Sequence, residues 1–235
     1  MKDNRLGGVA LVAGAVAGMI TMSLHPTGHH GIMSRHEMEV LALLTKAVHA
    51  LAITSLPFSF LGCMVLTRRL ASPSRIALAA LVVYGFAAVA VMIAASMSGF
   101  VAPGIISKLV AGDPLTDTRR LFLEYNFQIN QAFASVYVVG SCMAIVLWST
   151  AILKTRRLAT GLGIYGIVLG LAIVAALFSG KLALDVHGMG LVTFTQSIWL
   201  IIAGILLWRI REEPIFPASV ASDQTDRGDH RPIAE

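Results

Sequence analysis

Charge is what this sequence has least of. Asp, Glu, Lys and Arg make up 13% of its 235 residues, and no acidic residue occurs between Val40 and Gly112. A soluble domain of this length must cover itself with charged side chains, so that class is excluded. Cysteine is nearly absent too. Cys63 and Cys142 are the two present, both inside apolar segments, which excludes a disulfide framework or a Cys-type metal site and predicts buried thiols. The chain has no HExxH, CxxC or GxSxG motif, and so no familiar zinc-protease, dithiol or serine-hydrolase signature. Ionisable residues are also missing from the middle of most apolar runs, which counts against ion-coupled transport.

What is present is apolar sequence in long stretches. Hydrophobic residues are 56% of the chain and the mean hydropathy is +0.77, values that belong to a bilayer. The net charge of +5 comes from short basic clusters beside the apolar runs, where they act as topology signals, and no nucleic-acid partner is read from them.

Six runs predict six transmembrane helices, an all-α polytopic bundle over residues 1–211. The first runs from Leu6 to Leu24; His25-Pro26-Thr27 follows where a signal peptide would have a small-residue cleavage site, so the helix is expected to be retained. Ser34 and Glu37 form a capping-box pattern that opens the second helix, expected to reach Leu66 with a kink at Pro57. The third covers Ile76 to about Val101 and should stop at Pro103-Gly104. A short interfacial segment from Ile105 to Ala111 and a turn at Gly112-Asp113-Pro114 come next. The fourth helix, from Thr118 to Leu153, is the longest and most polar; the fifth and sixth cover Leu158 to Gly180 and Met189 to Trp208. Residues 212–235 lack apolar runs and predict a disordered cytoplasmic tail.

Basic residues set the orientation. Within residues 1–211 the side holding both termini carries ten, namely Lys2, Arg5, Arg68, Arg69, Arg75, Lys154, Arg156, Arg157, Arg209 and Arg211; the other carries six, Arg35, Lys46, Lys108, Arg119, Arg120 and Lys181. The positive-inside bias makes the first side cytoplasmic, as in a bacterial inner-membrane protein.

That orientation gathers the candidate chemistry at the extracytoplasmic end. Five of the seven histidines, His25, His29, His30, His36 and His49, lie within 25 residues, and Glu124, Asp185 and His187 reach the same level. Imidazole is the commonest metal ligand, and carboxylates extend or orient such a site. The sequence therefore nominates His25, His49 and His187 as binding a transition metal or haem, with His29, His30, Glu124 and Asp185 as further ligands. A metal held this way should be lost as histidines protonate, at about pH 6.5 for a free imidazole. Pro26 and Gly28 stop His25 and His29 from being read as a helical ligand pair. The bland reading is an interfacial loop whose histidines bond headgroups, carbonyls or Glu37 and Glu39.

Two other features concern packing. Gly14 and Gly18, and Gly163, Gly166 and Gly170, line helix faces that let backbones approach closely, either within the chain or against a second copy or another membrane protein. In the fourth helix Glu124, Gln128, Gln131, Ser135 and Cys142 form one stripe and Asn126, Asn130 and Tyr137 another. Polar groups on two faces predict a helix buried in the bundle, bonded to neighbours such as Gln196, Thr193 and Ser96 or, as the alternative, lining a cavity. Three functional classes remain open: a metal- or haem-binding protein, a membrane scaffold or accessory subunit without chemistry, and an enzyme using a histidine with Glu124 or Asp185 on a lipid-borne substrate.

Overall fold

The computed structural model describes residues 2–26, 34–71, 75–110 and 117–210. Among them there are helices and no strands: α1 (Lys2–Ser23), α2 (Arg35–Leu70), α3 (Ile76–Ser96), a π-helical segment (Met97–Val101), α4 (Ala102–Val110), α5 (Asp117–Thr155), α6 (Thr160–Phe178) and α7 (Val186–Arg209). Six helices in these segments are long and apolar enough to cross a bilayer, so the chain is an all-α six-helix bundle of the kind a multi-pass membrane protein forms. His29 and His30, the turn at Gly112-Asp113-Pro114 and the tail from Glu212 lie outside the described residues.

Local sequence explains the boundaries. Ser34 caps α2 by accepting from the Glu37 backbone N–H while the Glu37 carboxylate accepts from the Ser34 N–H, the reciprocal pair of a capping box. Pro57 is carried inside α2, which continues to Leu70. The expected stop at Pro103 is corrected by the structure. The chain passes from α3 through the π-helical segment directly into α4, and Pro103 falls in the first turn of that helix. Its missing N–H leaves the helical ladder one donor short just after the point where the Ala102 N–H bonds to the Met97 carbonyl.

Each helix lies against its neighbours in chain order, α1 with α2, α2 with α3, α3 with α5, α5 with α6, α6 with α7, and α7 back with α1. The ring closes. The glycine faces are used inside it: Gly14 lies against Ser59, Gly18 near Thr193, Gly163 against Leu153, Gly166 against Ser149 and Trp199, and Gly170 against Val146 and the Cys142 carbonyl. Cys63 and Cys142 are free and buried.

The main core surrounds Trp148 of α5 and Trp199 of α7, each 0% exposed and stacked with ring centres 6.2 Å apart. Both indole N–H groups have a partner. Trp148 Nε1 donates to Thr67 Oγ1 at 2.9 Å and Trp199 Nε1 to the Leu162 carbonyl at 3.2 Å, as a hydrocarbon environment demands. A polar layer follows in the middle of the bundle, where Tyr137 donates to Gln196 Oε1 and Gln196 Nε2 donates to Ser141 Oγ. The fourth predicted helix, here α5, is thus bonded into the bundle as its two polar stripes require.

Candidate functional site

At the end of the bundle opposite the Trp148 core, α1 runs out, α7 begins, and α3 turns into its π-helical segment. Between them is a cavity of about 340 Å³, lined mostly by apolar side chains and by Thr21, His25, His49, Ser98, Asn130, Gln131 and Asp185. Each polar member is held by a local device.

His49, like Thr21, is 6% exposed. Its Nδ1 donates to the Thr45 carbonyl one turn earlier at 2.7 Å, because a histidine on a helix can share the carbonyl that its own backbone N–H uses. A carbonyl only accepts, so the neutral ring carries its proton on Nδ1 and leaves Nε2 as a bare lone pair. Nε2 has no hydrogen-bond partner among the described residues. The ring is backed by Gly99 of the π-helical segment, where an added Cβ would run into His49 Cβ and Cγ. π-Bulges recur at functional sites because they re-aim a helix face.

Asn126 and Asn130, one turn apart on α5, pin that bulge. Met97 O accepts the π-type bond from the Ala102 N–H and a second from Asn126 Nδ2 at 3.3 Å. Ala94 O accepts from the Met97 N–H and from Asn130 Nδ2 at 2.7 Å, which also reaches Ser98 Oγ at 2.7 Å. Both amide protons of Asn130 are thereby used. Asn126, 8% exposed, keeps a buried Oδ1 without a partner.

The remaining wall comes from α1 and α7. His25 lies two residues beyond α1, just ahead of Pro26, and its ring meets His49 edge-on, with centres 5.0 Å apart at 68°. Its Nδ1 lies 3.2 Å from the Pro26 carbonyl, again leaving Nε2 bare in the neutral ring. Gln131 Nε2 donates to the Leu184 carbonyl at 3.2 Å, and Asp185 caps α7 by accepting from the Gly188 N–H at 2.8 Å. Gly188 is required there, since a Cβ would strike the Ala183 carbonyl.

Of the residues nominated by sequence, His25, His49 and Asp185 share this cavity. His187 and Glu124 do not. The Asp185 cap starts α7 so that His187 is exposed and off the cavity wall. Glu124, 63% exposed, pairs with Arg120 at 3.3 Å on a separate open groove with Tyr125 and Gln128. His29 and His30 lie outside the described residues, and among those described no three His, Cys, Asp or Glu side chains are grouped to hold a metal. Sequence reasoning put interhelical bonding first and a lined cavity second for the stripes that carry Asn130 and Gln131, named neither as a site residue, and passed over Ser98 and Gly99. The paired Asn126 and Asn130 were the available signal, since two amides one turn apart in a membrane helix need an irregular backbone opposite. Compared with protein-family models, curated proteins and solved structures, the chain matches none.

Proposed function

We propose that this is a multi-pass protein of a bacterial inner membrane, with both termini in the cytoplasm, whose outward-facing cavity binds a small amphiphilic ligand that enters from the bilayer or its outer surface. The observation that carries the reading is His49: a nine-tenths buried imidazole, its tautomer set by Thr45, lining an apolar cavity with its second nitrogen unpartnered. That nitrogen is open to the cavity, where a donor on a ligand can reach it, and a volume of about 340 Å³ falls within the usual range for small-molecule sites of about 300–1,000 Å³. The ten-to-six basic asymmetry supports the orientation.

A transition-metal ion is the second reading, favoured by the spacing of the two imidazoles. Two imidazoles on one tetrahedral ion, with bonds of about 2.0–2.1 Å, put their ring centres about 5 Å apart, and 5.0 Å is observed. Ligation of a haem iron from opposite faces would need about 6 Å or more, so haem fits this pair less well. The cavity is larger than one ion requires and supplies two imidazoles, with no third ligand grouped beside them among the described residues, which ranks the metal second.

Native mass spectrometry of untagged protein released from its own membranes tests both. A bound organic mass lost in His49→Leu supports the first reading, and a stoichiometric metal lost in the double change His25→Ala, His49→Ala supports the second. Protein carrying neither, and gaining neither when offered a lipid extract or zinc, would contradict both. A reporter fused after Thr155 should read as cytoplasmic; an extracytoplasmic signal would overturn the orientation.

A further inference from the structure

The cavity's polar groups are nearly all of one kind. His49 Nδ1 and Gln131 Nε2 spend their protons on backbone carbonyls, and Asn130 Nδ2 spends both on Ala94 and Ser98. Thr21 donates back to the Ala17 carbonyl. What remains for a ligand is the bare Nε2 of His49, the bare Nε2 of neutral His25, Asn130 Oδ1, Gln131 Oε1 and the Asp185 carboxylate. All of these accept. Among the described residues the Ser98 hydroxyl is the one side-chain donor left, and it already accepts from Asn130. No Lys or Arg lines the cavity among the described residues, and Asp185 is its sole formal charge when both imidazoles are neutral.

A lining with five acceptors against one spare donor disfavours ligands that are themselves acceptors. A carboxylate, phosphate or carbonyl would leave its own lone pairs largely unmatched and would face the Asp185 charge, and both count against it. A donor suits it. Charge decides between donors: a primary amine is an ammonium at neutral pH, with an ordinary pKa of about 10. It brings three N–H groups and a positive charge to five acceptors, one of them anionic. The apolar walls, including Met22, Val91, Phe127 and Met189, would take an alkyl chain.

We infer that the ligand of this cavity is an alkylammonium amphiphile, its N–H groups donated to His49, Asn130 and Gln131 and its charge facing Asp185. The inference rests on the cavity being a ligand site, as proposed above, and narrows the ligand to one class.

Four ten-carbon probes separate the terms: decylamine, decanol, decyltrimethylammonium and decanoate, each added to the full chain in lipid nanodiscs and followed by calorimetry. Decylamine should bind most tightly and decanol next, as a donor without charge. Decyltrimethylammonium, a charge without N–H groups, should bind more weakly than decylamine, and decanoate least. Asp185→Asn keeps the helix cap, because Asn caps as well as Asp. It should weaken decylamine by about threefold, the scale of an exposed charge pair, and leave decanol unchanged. His49→Leu should weaken both donors; where that variant does not fold, Asp185→Asn carries the test. Decanoate binding as well as decylamine, or decyltrimethylammonium matching it, would overturn the alkylammonium assignment while leaving a ligand site in place. Failure of all four to bind would overturn the site itself.

Discussion

The two ends of the bundle are built from the same helices and solve the same problem oppositely. Around Trp148 and Trp199 each indole N–H is matched to an acceptor at 2.9–3.2 Å, and the side chains of Leu66, Leu70, Ile152 and Leu207 fill the space between helices. Around His49 the donors are matched and the acceptors are left over, beside an open volume of about 340 Å³. Helices associate in lipid through close packing and satisfied polar groups. The Trp148 end therefore carries the stability of the bundle. The His49 end gives some of it up for a polar cavity, and the π-helical segment is the local irregularity that makes room.

The contrast is broken most severely at Trp148. Trp148→Ala should cost about 3–5 kcal/mol, the range for emptying a large buried aromatic site, read as a large fall in the thermal unfolding midpoint. Ligand preference, measured below the new midpoint, should stay as in the parent chain. A change in preference would mean that the two ends are coupled and not separate in role.

Gly99→Ala should show the converse. The added methyl would meet the His49 side chain, so overpacking of about 1–3 kcal/mol is expected, together with loss of decylamine binding out of proportion to the loss of stability. Unaltered binding would show that the bulge does not position His49. The smallest effect should come from Gln131→Leu. Its bond to the Leu184 carbonyl is a single hydrogen bond from α5 to the segment before α7, and a side-chain bond of this kind in a membrane protein is worth under about 1 kcal/mol, so unfolding should barely move while decylamine loses one acceptor. A large destabilisation would mean that Gln131 holds the start of α7 in place.

The parts legible in sequence were those set by long-range composition. Six apolar runs gave six helices, and Ser34 with Glu37 marked the start of α2 correctly. The continuation past Pro103 was not legible, because proline reads as a stop and nothing in the spacing announces that the helix re-registers through a π-helical segment just before it and runs on. The nearness of His25 and His49 followed from both lying where an apolar run meets polar sequence. His187 sits at an equally plausible boundary, but two residues beyond the Asp185 cap it faces outward. Glu124 fell outside the cavity because α5 is 39 residues long, about 58 Å at 1.5 Å per residue against a hydrocarbon core of about 30 Å. Its first turns have length to spare beyond the bilayer. Which hydrogen-bonding capacity is spent and which is left over depends on side-chain partners far apart in the chain, and no spacing rule reports it.

The central claim is that His49 presents a bare Nε2 to a ligand. Nitrogen NMR of histidine-labelled protein in nanodiscs, with the His49 signals assigned by their absence in His49→Gln, tests it directly. The expected result is a neutral ring protonated on Nδ1, with an Nε2 resonance that moves when decylamine is added and stays still when decanoate is added. A ring protonated on Nε2, or an Nε2 signal indifferent to both, would contradict it.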